Sequence, residues 1–570
     1  MKNFVIKYLL VLSLLCLATW IMWKIFGYPL TGIDDANIFF VYAKNVSSGY
    51  GFVFNIGSEK VEGFSSLLWT LICVVVFKLS TRPEATLLTV NLLAITLGVT
   101  MCLSFIQTTL LNSNDNQYSR QLWSLTFLIL LFTSPTYIIW NTITLMENAV
   151  WGTLLLVTAI YVIKNADNWM ITPLLILLLL TRPEAFLWVT VFTLILLTQR
   201  IAVYGISKAL KRTISVFIIV TLTIISLTIF RQLYFGYPLP NTYYAKVSPS
   251  LSYNLLQGWL YFTEYLISSP VVCICILATI MTGAYSIYTL TKGKLTANRL
   301  HFLPVIASTG LAIPFTTGGD HFGSFRFYQG VYPILILCLI YFTSSILPHY
   351  SHLKYDADSL RRQRIAVAPS IGLLLVSSFI LYQINTWKSF IATSNMPGEF
   401  GIAQAGREVG EFAKETFSIL PKLPSIGMIT VGGVKYAYPG EIVDLMGLNN
   451  LLMAHNGGNR LGMKNHAAFE KVTFYQLKPD MVTLKIVSTQ DWEYSATELQ
   501  MSWANSIPLK RLYDDSAFLE LYTYAKIIRD DVSIDKALVS WFRKDFLTRL
   551  EANGNFSIDK YKYPTELINP

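Results

Sequence analysis

The feature that most constrains this chain is a succession of apolar runs nearly free of charge. They lie near 4–26, 64–78, 86–111, 121–139, 148–163, 169–181, 185–198, 213–230, 270–290, 301–317, 328–347 and 366–387. Most reach the roughly 17–25 residues a helix needs to cross a bilayer. The two runs flanking Thr181-Arg-Pro-Glu184 are shorter and read as a hairpin or as one crossing with a re-entrant half. The expected architecture is therefore an α-helical polytopic membrane protein with about eleven transmembrane helices. Composition agrees: 53% of residues are hydrophobic and 14% charged, against about a quarter charged in soluble domains. A core of this size cannot hide so much apolar surface from water, so part of it must face lipid.

The net charge of +10 does not signal nucleic-acid binding, because the basic residues cluster at the ends of apolar runs. Examples are Lys208, Lys211 and Arg212; Lys292, Lys294 and Arg299; and Arg361, Arg362 and Arg364. That placement is the positive-inside pattern of membrane insertion. It sets 199–212, 292–299 and 354–364 inside, and puts loops 27–63, 231–265 and 318–327 outside together with the tail. It leaves the side of Glu147 open. All six cysteines fall in apolar runs, so neither a disulfide framework nor a zinc site is expected in the tail. The first run follows Lys2 and Lys7, and no small-residue cleavage site succeeds it. It reads as a retained helix rather than a signal peptide.

From about Asn395 glycine and charge increase. Short alternating segments appear, Ile426–Val431 and Met481–Val487, with helical patterns at Glu408–Phe417 and Lys536–Leu550. Strands alternating with helices predict a soluble α/β domain. The chain divides into a membrane module, 1–394, and a soluble domain, 395–570. The shared pentapeptide Thr81-Arg-Pro-Glu-Ala85 and Thr181-Arg-Pro-Glu-Ala185 fits two helix starts with an early proline as well as it fits a duplication.

Three loops carry the polar chemistry. The first holds the adjacent acids Asp34 and Asp35, with Glu62 further on. Adjacent carboxylates suit a general base with a positioning partner, and equally suit a solvated helix N-terminus. The second runs from Arg231 to Lys246. The third reads Gly318-Gly-Asp-His-Phe-Gly-Ser-Phe-Arg-Phe327 and gathers Asp320, His321 and Arg326. Cations at a membrane surface suit a lipid-linked phosphate, or simply anchor to headgroups. Glu62 reads as a supporting acid of the site or as an interfacial one. Glu147 could face a cavity, since ionisable groups inside such segments are costly and often functional. His455 and His466, around Asn456-Gly-Gly-Asn-Arg460, read as surface-loop residues.

The order Asp34-Asp-Ala36, Gly49-Tyr-Gly-Phe-Val-Phe-Asn55, Val61-Glu-Gly-Phe-Ser-Ser-Leu-Leu-Trp69 resembles the mycobacterial terminal arabinofuranosyltransferases and the LphB-type membrane proteins of Legionella. Leu145-Met-Glu-Asn148, Thr181-Arg-Pro-Glu184, Pro238-Leu-Pro-Asn-Thr242, Gly318-Gly-Asp320 with Arg326, and Ile442-Val-Asp-Leu-Met-Gly-Leu-Asn449 extend the resemblance over most of the chain. It departs at Leu145, where a small residue is expected, and at His321. The resemblance implies a GT-C glycosyltransferase of the bacterial inner membrane. Such an enzyme takes a polyprenyl-phosphate sugar donor and glycosylates a cell-envelope glycan or glycolipid on the extracytoplasmic face. Asp34 and Asp35 would be the catalytic acids. Arg326, with Lys246 or Arg231, would hold the donor phosphate, and Asp320, His321, Glu62 and Glu147 would stand nearby. A lipid-attached donor requires no nucleotide fold, and no Gly-rich phosphate loop is present. A divalent metal beside the acids is compatible with these residues, but no ligand spacing argues for one. Two other readings are a transporter or flippase for a lipid-linked sugar, and a non-catalytic cell-envelope assembly protein. The near absence of charge within the apolar runs weighs against transport.

Overall fold

The computed structural model describes residues 2–111, 117–291, 299–346, 390, 394–458, 460–461, 464, 466–488, 492–531 and 536–561. The crossing expected at 366–387 and the basic residues 292, 294 and 361–364 lie outside them.

The membrane module is a helical bundle. Its elements are α1 (Lys2–Phe26), α2 (Asp34–Ser47), α3 (Leu67–Leu79), α4 (Pro83–Phe105), α5 (Gln117–Phe132), α6 (Pro135–Asn141), α7 (Asn148–Lys164), α8 (Ile171–Thr181), α9 (Ala185–Tyr204) and α10 (Ile206–Phe235). They continue with α11 (Asn241–Lys246), α12 (Leu251–Ser268), α13 (Pro270–Thr291), α14 (Leu303–Thr317) and α15 (Tyr332–Tyr341). Among the described residues six helices are long and apolar enough to cross a membrane, or seven if the pair α5–α6, bent by 73°, is one span. The sequence predicts about eleven. Three of the others are apolar helices too short to pass alone, α3, α7 and the stretch Tyr332–Ser344, and one is the run at 366–387 outside the described residues. α8 is also short and belongs to the pair counted through α9. Much of α7 is buried by its neighbours, so part of its apolar sequence faces protein rather than lipid. The pair at Thr181-Arg-Pro-Glu184 is also unequal: α8 has 11 residues, but α9 runs on to 20. In both pentapeptide copies the proline lies at a helix start, as the first residue of α4 and two residues before α9.

The chain then forms α16 (Met396–Thr416), α17 (Gly432–Ala437) and six strands: β1 (Ile426–Met428), β2 (Ile442–Asp444), β3 (Met481–Ser488), β4 (Tyr522–Arg529), β5 (Lys536–Arg543) and β6 (Phe556–Lys560). They make one mixed sheet in the order β2-β1-β3-β5-β4-β6. β1 pairs parallel with β2 and β3, and the remaining pairs are antiparallel. The helix expected from Lys536 to Leu550 is instead a strand followed by a helix at Lys544–Asn553. Leu538, Val539, Trp541 and Phe542 have no exposed surface. Branched and aromatic side chains such as these fit a strand covered on both faces, and β5 lies between β3 and β4.

Loops 27–63, 231–265 and 318–327 meet the sheet domain on one side of the bundle. One close seam joins α2 to α17. A Cβ on Gly432 would lie 1.9 Å from the Asp34 carbonyl oxygen, and one on Gly433 would lie 2.3 Å from that of Ala403. No side chain larger than hydrogen fits either position without backbone movement. Gly432→Ala should therefore cost about 1–3 kcal/mol, read as a lowered thermal midpoint of the purified protein. An unchanged midpoint would show that the seam is looser than described.

Candidate active site

α2 starts after Ile33, whose extended backbone leaves the first-turn N–H groups to a helix entered directly by two acids. The acids diverge. Asp34 is buried, and its carboxylate accepts hydrogen bonds from the backbone N–H groups of Gly432 at 3.0 Å and Gly433 at 2.8 Å. Burial lifts its pKa to about 6 against the pull of those two donors. Asp35 instead lines a cavity of about 680 Å³. Its Oδ2 lies 3.4 Å from Arg326 Nη1 and 3.9 Å from Lys246 Nζ. Burial alone would raise this carboxyl, but the charges of Lys246 and Arg326 outweigh it and hold the pKa below the usual range. Asp35 is thus an ionised carboxylate at the cavity wall.

Arg326 reaches this position from a tight loop. Ser324 and Phe325 before it both adopt left-handed backbone, with φ of 68° and 54°. The Gln329 side-chain amide donates to both of their carbonyls. The guanidinium is buried against Trp140, Phe322 and Phe327, and Nε lies 2.7 Å from Asp320 Oδ2. Burial would raise the Asp320 pKa, but the Arg326 charge drives it far below the carboxylate range. His321 Nδ1 lies 3.3 Å from the other Asp320 oxygen. His466 does not sit in a free surface loop: its ring packs edge-on against His321 at 4.4 Å. Burial pushes its pKa down to about 4.

Two further ion clusters border the same cavity. Arg231 grips Glu62 through Nε and Nη2 at 2.9 and 3.1 Å, while burial raises the Glu62 carboxyl against that pull. Arg182 Nη1 binds Glu147 at 2.9 Å and Nε binds Glu184 at 2.6 Å. Glu147 is almost fully buried. The cavity therefore gathers Asp35, Arg326, Lys246, Arg231 and Glu147 directly, with Glu62 and Asp320 one contact behind. Asp34 faces the tail. Arg182, Glu184 and Glu399 were not singled out by type or spacing. Glu399, on α16, is pushed up to about 7 by burial and by Asp35 and Asp34. Among the described residues no three His, Cys, Asp or Glu side chains are grouped to hold a metal ion.

Away from these charges the cavity is apolar. Leu179, Phe186, Leu187, Ile224 and Leu227 line it. Leu227 also lines an adjoining open groove of about 530 Å³ between α3 and α10, whose walls are almost entirely apolar. The arrangement places three carboxylates (Asp35, Glu147 and Glu184) and four cations (Arg182, Arg231, Lys246 and Arg326) at the head of a hydrophobic trough.

No protein-family model matches the chain, and no curated protein matches it significantly. Among solved structures it is similar to two crystal structures of ArnT from Cupriavidus metallidurans. The one bound to undecaprenyl phosphate has 11% sequence identity and a TM-score of 0.49, and the apo form has 12% and 0.47. Each match covers 93% of this chain and 97% of that one.

The Asp34 anchor carries a pH signature. Its pKa is about 6 in the fold and near 4 in an unfolded chain. Between these values the native state holds the extra proton, so the Asp34 contribution to stability falls as pH rises through 6. Asp34→Asn has no such dependence. The parent's thermal midpoint relative to this variant should therefore rise by a few degrees from pH 7.5 to pH 5. A constant difference across that range would refute the assignment.

Proposed function

We propose that this protein is a membrane glycosyltransferase that uses a polyprenyl-phosphate sugar and acts on the extracytoplasmic face of a bacterial inner membrane. One observation carries the reading: Asp35, ionised beside Lys246 and Arg326, stands where a charged cavity head passes into an apolar trough. A donor with a long apolar tail and a single phosphate matches both ends. The tail lies along Leu227 and the groove beyond it, the phosphate meets Lys246, Arg326 and Arg231, and the sugar projects toward Asp35. The family resemblance of the first loop supports the same donor class.

Asp35 is the general base. Before donor arrival its basicity is depressed by the two cations it faces. A phosphate binding to Lys246 and Arg326 draws those charges away, so the Asp35 pKa rises when the substrate is in place. Asp35 then takes the proton of an acceptor hydroxyl as that oxygen attacks the anomeric carbon. The bond from this carbon to the phosphate oxygen breaks, and polyprenyl phosphate leaves with the electron pair. Lys246 and Arg326 stabilise the charge it carries. With no covalent sugar–enzyme intermediate the anomeric centre inverts. Asp34 holds α2 against α17 and so fixes the direction in which Asp35 points. Arg182, set between Glu147 and Glu184, shapes the far wall.

The test is transfer from a panel of polyprenyl-phosphate sugars by the purified protein. Asp35→Asn should lower the rate by at least about 100-fold, the low end of a lost general base, with its thermal midpoint preserved. Lys246→Ala should weaken donor binding. Asp34→Asn should lower stability more than it lowers the rate per folded molecule. A folded Asp35→Asn variant with the parental rate would exclude this mechanism. Vesicles that move labelled donor lipid without transferring sugar would instead establish a flippase.

A further inference from the structure

The loop that carries Arg326 divides two cavities. Gly319, Arg326 and Phe327 line the first. Gly323, Ser324, Phe325 and Gln329 line a second, of about 310 Å³, a volume within the range of small-ligand sites. The start of α6, the α12–α13 junction and Ser394-Asn395 before α16 close its other sides. The chemistry of the two differs sharply. No charged side chain is present among the residues lining the second cavity, whereas hydroxyl and amide groups are plentiful there.

Three hydroxyls lining this second cavity are buried and have no hydrogen-bond partner: Tyr265 Oη, Ser324 Oγ and Ser394 Oγ. Tyr265 is 2% exposed and Ser324 6%. Buried polar groups are almost always paired, and each exception calls for an explanation. Aromatic faces stand beside them: Tyr265 lies 5.3 Å from Phe325 and stacks on Tyr328 at 4.4 Å. Ser324 and Phe325 are also the two consecutive non-glycine residues held at positive φ. Strain of this kind persists where surrounding structure enforces it and gathers at binding sites; here the buried Gln329 amide enforces it.

We infer that this second cavity binds a neutral sugar ring. A phosphate or carboxylate ligand would find no cation there among the described residues. A fully apolar ligand would leave the three hydroxyls unpaired. A sugar ring supplies hydroxyls that both donate and accept, and its C–H faces pack on tyrosine and phenylalanine. The site is distinct from the charged cavity and does not require the transfer reaction, so its test reads binding alone.

The experiment is saturation-transfer NMR on the full-length protein in lipid nanodiscs free of glycoside detergent. The probes are the methyl glycosides of glucose, galactose, mannose and arabinofuranose. At least one should receive saturation from the parent protein. Gly323→Leu fills the cavity, and its Cβ meets no other heavy atom within 4 Å; it should abolish that transfer. Tyr265→Phe keeps the shape and removes one unpartnered hydroxyl. It should weaken binding at least fivefold while raising the thermal midpoint, because a buried hydroxyl without a partner destabilises the fold. A hydroxyl with a purely structural place would raise the midpoint and leave binding intact. If Gly323→Leu does not fold, Tyr265→Phe decides alone. Failure of all four probes with folded parent protein, or unchanged binding by either folded variant, overturns the proposal.

Discussion

The site depends on a buried carboxylate that spans the two parts of the molecule. Asp34 accepts hydrogen bonds from the Gly432 and Gly433 N–H groups, and neither glycine has room for a side chain. The first loop packs a core of its own around Tyr42, Phe54 and Phe64 and is tied at several further points to the sheet domain. Asn55 exchanges two hydrogen bonds with the Ile442 backbone. The Tyr42 hydroxyl reaches Asn449, and Arg407 on α16 joins Asn37 to Glu84. Asp444 in turn fixes Asn449 by accepting two hydrogen bonds from it, and accepts a third from the Met446 N–H of the same turn. Leu448, from the same turn, lines the charged cavity. The tail is therefore part of the cavity wall rather than an appendage, and loosening it alters the site directly.

The charges around the cavity differ in how firmly they are held. Arg231 is committed to Glu62 by a two-pronged contact, and Arg182 is committed to Glu147 and Glu184. Such bidentate or bridged pairs resist exchange because geometry and charge are satisfied together. Arg326 keeps Asp320 through Nε and reaches Asp35 only at 3.4 Å; Lys246 stands at 3.9 Å from Asp35. Lys246, with its single long contact to Asp35, is thus the cation held least tightly among these four, while Arg326 is fixed by Asp320 and turns only its Nη1 toward Asp35. In the proposed mechanism, the donor phosphate competes with Asp35 for Lys246 and the free edge of Arg326 and leaves the other pairs in place. Donor binding and activation of Asp35 then become one event in that mechanism.

Much of this was legible in residue patterns. The apolar runs announce the bundle, and the break in texture near Asn395 announces the tail. The polar loops at Asp34–Glu62, Arg231–Lys246 and Asp320–Arg326 do converge, as their shared side predicts. What was not legible has specific causes. Lys536–Leu550 has apolar spacing that serves a helix or a covered strand, and only the neighbours β3 and β4 decide between them. Arg182 and Glu184 lie at a Pro-containing helix start that explains itself locally, so nothing in the segment points to Glu147 across the bundle. Glu399 gains its environment from burial and from Asp35, Asp34, Asp320 and Arg326, all distant in sequence. Of the eleven expected crossings the one at 366–387 lies outside the described residues, and the shorter apolar helices at α3, α7 and Tyr332–Ser344 fall below the length that marks a span on its own.

The separation of Asp34 and Asp35 shows why adjacent acids need not share a task. In an α-helix successive residues point about 100° apart, so two neighbours in the first turn of α2 cannot converge on one small ligand. A base and its positioning partner drawn from consecutive helical positions must face different surroundings. Here one faces backbone amides and the other faces cations and open cavity. Each environment sets its acid in an opposite direction: burial lifts Asp34, and paired positive charge lowers Asp35. The same turn that aims Asp34 at the Gly432 and Gly433 amides places Asp35 at the cavity wall. In this geometry a doublet of acids at a helix start is one residue for holding the helix and one for using it.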